Sequence, residues 1–247
     1  NFGGVPIIDG FLLPEEVDGI ERASIEKVYA LIEKDLSDAA EILPQRSEYS
    51  NNDMGRATRG AALGLLGKAQ LYQQKWGEAK ITLATVINEA EYDLMPEFGQ
   101  VCNIDYENNK ESLFEVQNMY DPTYDLGGSM TIVAGNRSGG DQDGWAWGLP
   151  SANLENAFIA AGDSVRLKWT IIRNGDKEIA GEPDFEELIE KQGDQNGDGS
   201  YCIDPDKHKS ARINRKLYVP LAKRPEKYDQ PKVPLNYIIL RYADVLL

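Results

Sequence analysis

Three kinds of residue are scarce in this chain, and each scarcity removes a class of function. The single histidine, His208, sits in the basic run Lys207–His208–Lys209. Neighbouring cations lower an imidazole pKa, and no serine or carboxylate constellation points to it, so a Ser–His–Asp site has no basis. The two cysteines, Cys102 and Cys202, lie far apart. With one histidine they do not furnish a zinc site, and spacing alone leaves open both a disulfide and two separate thiols. Cations are also few: 26 Lys and Arg face 41 Asp and Glu, a formal charge of −15. Nucleic acid and anionic membrane surfaces need clustered cations, so neither is an expected partner. No run approaches the ~20 apolar residues that cross a bilayer, and no GxGxxG or Walker sequence occurs.

The two ends are short of signals as well. Asn1 opens no signal peptide, having no Met, basic region or apolar region behind it. Asn236–Leu247, NYIILRYADVLL, reads as the start of an apolar core helix that stops short. The chain is therefore expected to be a fragment of a longer protein.

What is present is a globular composition with much loop. The chain has 247 residues, 41% of them hydrophobic, with 23 Gly and 12 Pro. That is enough for one large domain or two small ones. Ser24 is a good N-cap, and Ile25, Val28, Ile32, Leu36, Ala39 and Leu43 recur at three- and four-residue steps until Pro44. Gly55–Ala90 then reads as two helices joined by a short turn, with Tyr72 and Trp76 expected to pack around it. The first contains Gly60, Gly64 and Gly67, each costing up to ~1 kcal/mol against Ala, so close approach of a neighbouring helix is expected to compensate. The second holds Trp76, Ala79, Leu83, Val86 and Ala90 on one stripe. Such a pair resembles a tetratricopeptide unit, a scaffold that binds more often than it catalyses.

Beyond Pro96 the texture changes. Leu113–Gln117 reads as a strand, Asn153–Ala161 as a helix, Arg166–Arg173 as a strand or its approach, and Asp184–Lys191 as a helix. Residues 120–152 form a long stretch rich in Gly, Asp and aromatics, the kind of loop that is functional or disordered. The expected architecture is mainly α: a tetratricopeptide-like α-α superhelical scaffold with a loop-rich, small-β excursion forming the ligand face. Residues 1–119 would be the helical core with its leading segment, 120–235 the ligand-facing region and 236–247 the start of the next core helix.

Two groups of residues carry candidate chemistry. Tyr124, Trp145 and Trp147 lie among polar residues, with little apolar periodicity to bury them. Flat aromatic faces stack on the C–H faces of sugar rings, while Asn136, Arg137 and Asp141 are placed to hydrogen-bond hydroxyls. A tryptophan here, Trp147 above all, is equally suited to plug the core. The second group is Asp194, Asn196 and Asp198, followed by Gly199, which places oxygens at positions one, three and five of an EF-hand-type calcium loop. Position twelve is Pro205 instead of a bidentate glutamate, so the same run also reads as a solvated turn. Apart from calcium no cofactor is expected. A paired-carboxylate glycosidase stays open, although nothing singles out a pair among 41 acids.

Several segments resemble, in order, the motifs of one family. NFGGVPII is similar to its "GDVPL(I/V)" opening, Ser24–Pro44 to its "V…I..DL..A...LP" helix, and Gly55–Ala90 to its "GRATKGAA…LYLYQGKW.EA" pair. Leu113–Gln117 matches "E.IFEVQ", Gly144–Ala160 "GWG…P...L..AF", and Asn236–Leu247 "YPIIRYADVLL". The chain thus resembles the SusD/RagB family. That resemblance implies a non-enzymatic, lipid-anchored protein on the outer-membrane surface of Bacteroidetes-type bacteria. It would capture oligosaccharides and sit as a lid on a SusC-like TonB-dependent transporter; a peptide ligand, as in RagB-like members, is the alternative. The family's lipidated cysteine and its first and last helices have no counterpart here.

Overall fold

The computed structural model describes residues 3–121, 123–124, 126–130, 133, 145, 147–182, 185–186, 189, 197, 199, 201–203, 210–223 and 233–247. They divide into two compact units, one of Asn1–Leu94, Lys110–Phe114 and Leu240–Leu247, the other of Met95–Asn109 and Glu115–Ile239.

The first unit is helical. Ser24 accepts the Lys27 N–H and starts α1, Ile25–Ile42, as its sequence predicts. Thr58 accepts the Ala61 N–H and starts α2, Arg59–Tyr72. After a turn in which Gln74 takes φ 60°, α3 runs over Trp76–Glu89. Helix α2 packs on both α1 and α3, and nine of its fourteen residues are buried, so it is the central member. Its three glycines are required by close approach, though only one faces a helix. A Cβ on Gly67 would lie 2.4 Å from Leu83 of α3; on Gly64 it would meet Leu240 at 2.6 Å and Leu113 at 2.8 Å; on Gly60 it would strike the Tyr92 ring at 2.3 Å. Tyr92 is itself pinned by a 2.7 Å hydrogen bond to Thr58, and burial pushes its phenol upward. The core of the unit gathers Ala62, Leu63, Val86, Tyr92, Leu113 and Leu240.

Polar contacts close the helix ends. Lys75 donates to Glu33 at 2.6 Å, and its N–H reaches the Gln70 carbonyl at 3.0 Å. Tyr72 and Trp76, expected at the α2–α3 turn, are instead 69% and 62% exposed; the backbone and the lysine hold the turn without them. Arg59 pairs with Glu89 at 2.8 Å.

Strand β1, Ser112–Val116, falls where the sequence predicts. In the second unit α4 covers Ala152–Ala160. The expected strand at Arg166–Arg173 is mostly helix: Asp163 accepts the Arg166 N–H and starts α5, Ser164–Thr170. Only β2, Ile171–Arg173, is extended, paired antiparallel with β3, Arg212–Asn214, in the register Ile171↔Asn214. A capping aspartate outweighs the β-branched tail until Ile171 and Ile172 find a partner strand. Of the helix expected at Asp184–Lys191, Phe185, Glu186 and Ile189 are described and helical.

Asn236–Leu247 differs most from its expected form. Tyr237–Arg241 is strand β4, paired with β1, and only Tyr242–Leu246 is helical, as α6. The Tyr-Ile-Ile-Leu run suits a pleated surface, and the Asp244 carboxylate, accepting the Arg241 N–H at 2.9 Å, starts the helix there.

Arg215 organises the second unit and is 3% exposed. Its Nε donates to the Ala180 carbonyl at 2.7 Å, and its guanidinium lies 5.1 Å from the Trp169 ring centroid and 5.2 Å from that of Tyr218. Burial lowers its pKa to about 10, with Tyr218 and Glu182 opposing. Cys102 and Cys202 are both half-buried and are not joined in a disulfide.

Gly60 and Gly77 separate packing from propensity. Gly60→Ala drives a methyl into the pinned Tyr92 ring and is expected to cost about 1–3 kcal/mol. Gly77→Ala enters open space in the first turn of α3 and is expected to stabilise by up to about 1 kcal/mol. Urea denaturation of both variants checks the two signs.

Candidate ligand-binding site

The site grows from a lattice of amides in the second unit. Asn236 donates its backbone N–H to Glu107 at 2.6 Å, and its side-chain amide to Glu115 at 3.0 Å and Gln117 at 3.1 Å. Its side-chain oxygen accepts the Asn118 N–H at 2.7 Å. Asn118 in turn donates to the Leu235 carbonyl at 2.8 Å. Gly128 bridges antiparallel to Val233, and a Cβ there would sit 2.8 Å from the Asn118 amide nitrogen. The lattice therefore fixes the start of the long loop against residues 233–236.

From that base the loop presents its aromatics. The Asp121 carboxylate accepts the N–H groups of Thr123 at 2.7 Å and Tyr124 at 2.8 Å, an Asx-type turn that leaves Tyr124 65% exposed. The Trp147 N–H donates to the Val133 carbonyl at 2.9 Å. Trp145 and Trp147 meet edge-to-face, ring centroids 5.8 Å apart and planes at 62°. They are 56% and 64% exposed, so neither plugs a core. Exposed indoles held in a fixed mutual orientation offer a stacking platform at little ordering cost.

Beside this pair is a cavity of about 480 Å³. Trp147, Met130, Val133, Leu217, Tyr237 and Ile238 supply most of its wall, with Asn214, Lys216 and Asn236 as its polar members.

Of the residues expected from sequence, Trp145 and Trp147 come together. Among the described residues no ring contact joins Tyr124 to them. Asn136, Arg137 and Asp141 lie outside the described residues, as do Asp194, Asn196 and Asp198 of the calcium candidate. Among the described residues no group of three or more His, Cys, Asp or Glu is placed to hold a metal. Sequence reasoning missed the cavity wall. Met130 and Val133, three apart in a Gly-rich stretch, are a helical-spacing signal that was legible; Leu217 and Ile238 carry none.

Residues 1–71 match a SusD-like family described as starch-binding and associating with the outer membrane. No curated protein sequence matches the chain. Among solved structures, a laminarin-binding SusD-like protein superposes with a TM-score of 0.76 at 23% identity, covering 98% of this chain and 53% of that one. A SusD-like carbohydrate-binding protein from Bacteroides fragilis gives 0.70 at 20% identity, with 99% and 49% covered. Surface glycan-binding protein A from Bacteroides thetaiotaomicron, in complex with laminarihexaose, gives 0.72 at 16%, with 99% and 51% covered. The chain thus spans about half the length of these structures, and its helical fold is theirs.

The amide lattice also encloses a titrating group. Burial pushes the Glu107 carboxyl up to about 7, the Asn236 N–H opposing and the charges of Glu115 and Asp105 adding. Between its ordinary 4.5 and about 7 the folded protein holds a proton that the unfolded chain has released. Stability from this group is therefore present at low pH and falls as pH rises through that window. Glu107→Gln is expected to flatten this part of the stability–pH profile, measured as urea midpoints from pH 4.5 to 8.

Proposed function

We propose that this chain, SusD-like by the match of its first 71 residues and by its fold, is part of a cell-surface glycan-binding protein of the outer membrane. It captures oligosaccharides without cleaving them and delivers them to a SusC-like TonB-dependent transporter, the whole protein being held to the membrane by a lipid anchor.

The observation that carries the reading is the exposed edge-to-face pair Trp145–Trp147. Such indoles cost free energy in water unless a ligand covers them, and sugar C–H faces are the ligand whose remaining hydroxyls stay hydrated while they do so. A charge of −15 suits a neutral ligand better than an anionic one. The structural relatives named for laminarin and laminarihexaose support the same class. No helix among the described residues is long and apolar enough to cross a membrane. The apolar cavity wall gives some support to the RagB-like alternative, since peptide grooves favour apolar pockets.

Affinity electrophoresis of the full-length protein through gels containing single polysaccharides tests this. Wild type is expected to be retarded by at least one polysaccharide. Trp147→Ala is expected to weaken that binding roughly tenfold, about 1.4 kcal/mol, with Tyr124→Ala weakening it less. Unchanged retardation in both variants removes the site, and product release from any of the glycans removes the non-enzymatic reading.

A further inference from the structure

We infer that the cavity beside Trp147 is a subsite for a flat apolar substituent, an aromatic acyl group esterified to the sugar that lies across the indole pair. The inference rests on the glycan reading above and names which glycans the site prefers.

The cavity has the size of a small-molecule pocket, about 480 Å³, within the usual range of roughly 300–1,000 Å³. Trp147 lines it and is nonetheless 64% exposed, so the indole stands at its mouth. A sugar on the platform therefore carries any substituent directly to the opening. Met130, Val133, Leu217 and Ile238 make the wall apolar.

Much of the polar capacity of the wall is already engaged. Asn236 spends both amide hydrogens on Glu115 and Gln117 and its oxygen on Asn118. The Asn214 oxygen accepts the Lys216 N–H at 3.1 Å. The Lys216 ammonium lies 4.7 Å from the centroid of the Phe98 ring. A bare sugar ring carries hydroxyls on every side, and those turned toward Met130, Val133, Leu217 and Ile238 would give up water without finding a partner, each at a cost. A peptide side chain fits the wall but brings backbone amides to the same apolar surface. An aryl group loses nothing by leaving water, and Trp147 and the Met130 thioether are both favourable neighbours for a ring. Tyr237 lines the same cavity and is 40% exposed, so its hydroxyl is placed to donate to the ester carbonyl.

Methyl cinnamate is the probe for the acyl group, read by tryptophan fluorescence of the full-length protein. The control variant is Met130→Asp, a wall residue 41% exposed, so the fold does not depend on it. The expected result is saturable quenching that weakens at least fivefold in Met130→Asp. Laminarihexaose carrying one cinnamoyl ester should bind wild type at least tenfold more tightly than laminarihexaose itself, with that advantage lost in the variant. Absence of saturable quenching, or equal affinity in wild type and Met130→Asp, overturns the inference. So does competitive displacement of methyl cinnamate by unmodified laminarihexaose, which would make the cavity a ring subsite and leave the glycan reading standing. Tighter, competitive binding of N-acetyl-phenylalanine amide overturns it in favour of a peptide. Failure of the glycan reading itself is read separately, in the polysaccharide gels.

Discussion

Asn236 is the constraint on which the start of the long loop and the cavity wall depend. One side chain and one backbone N–H join Glu107, Glu115, Gln117 and Asn118, and the residue also forms part of the cavity wall. The residue is 9% exposed, so the hydrogens it donates must be accepted within the protein. Glu115, 3% exposed, also accepts the Asn108 N–H at 3.2 and 3.1 Å. Asn108 and Gln117 exchange side-chain amide bonds at 2.8 and 2.9 Å. A network so fully satisfied has one arrangement, and a loop tied to it inherits that definition.

The same satisfaction explains how the site divides its work. The polar groups of Asn236 are used in holding the loop, while apolar groups face the cavity and two indoles face water. Recognition by such a surface depends on shape and on what the ligand leaves hydrated. Glu107 is a half-buried carboxyl whose pKa burial raises, and the Asn236 N–H that it accepts ties it to the lattice.

The first unit works by closeness. Gly60, Gly64 and Gly67 give α2 a surface without side chains, and Tyr92, Leu113, Leu240 and Leu83 occupy the space. Each glycine is unfavourable for an isolated helix and favourable only once its neighbour is present. The helix is therefore a product of its packing more than of its propensity.

Much of the first unit was legible because its signals are local. Ser24 caps within three residues of the group it satisfies, and the apolar steps of α1 repeat within one turn. The strand–helix change at Arg241 and the helix at Ser164 were misread because a short apolar run suits either state until a partner strand or a capping aspartate decides. The tryptophans were legible as aromatics with nothing nearby to bury them. Their edge-to-face geometry was not, nor was the cavity wall, where Met130 meets Leu217 and Ile238 from distant parts of the chain. Sequence alone determined the Ser24 cap, the glycine stripe, the acidic balance and the family resemblance, since each is a property of residue type and near spacing. Only the tertiary structure decided which residues line the cavity, because contacts such as Asn236 to Asn118 join positions 118 residues apart, and no local rule records who meets across that distance.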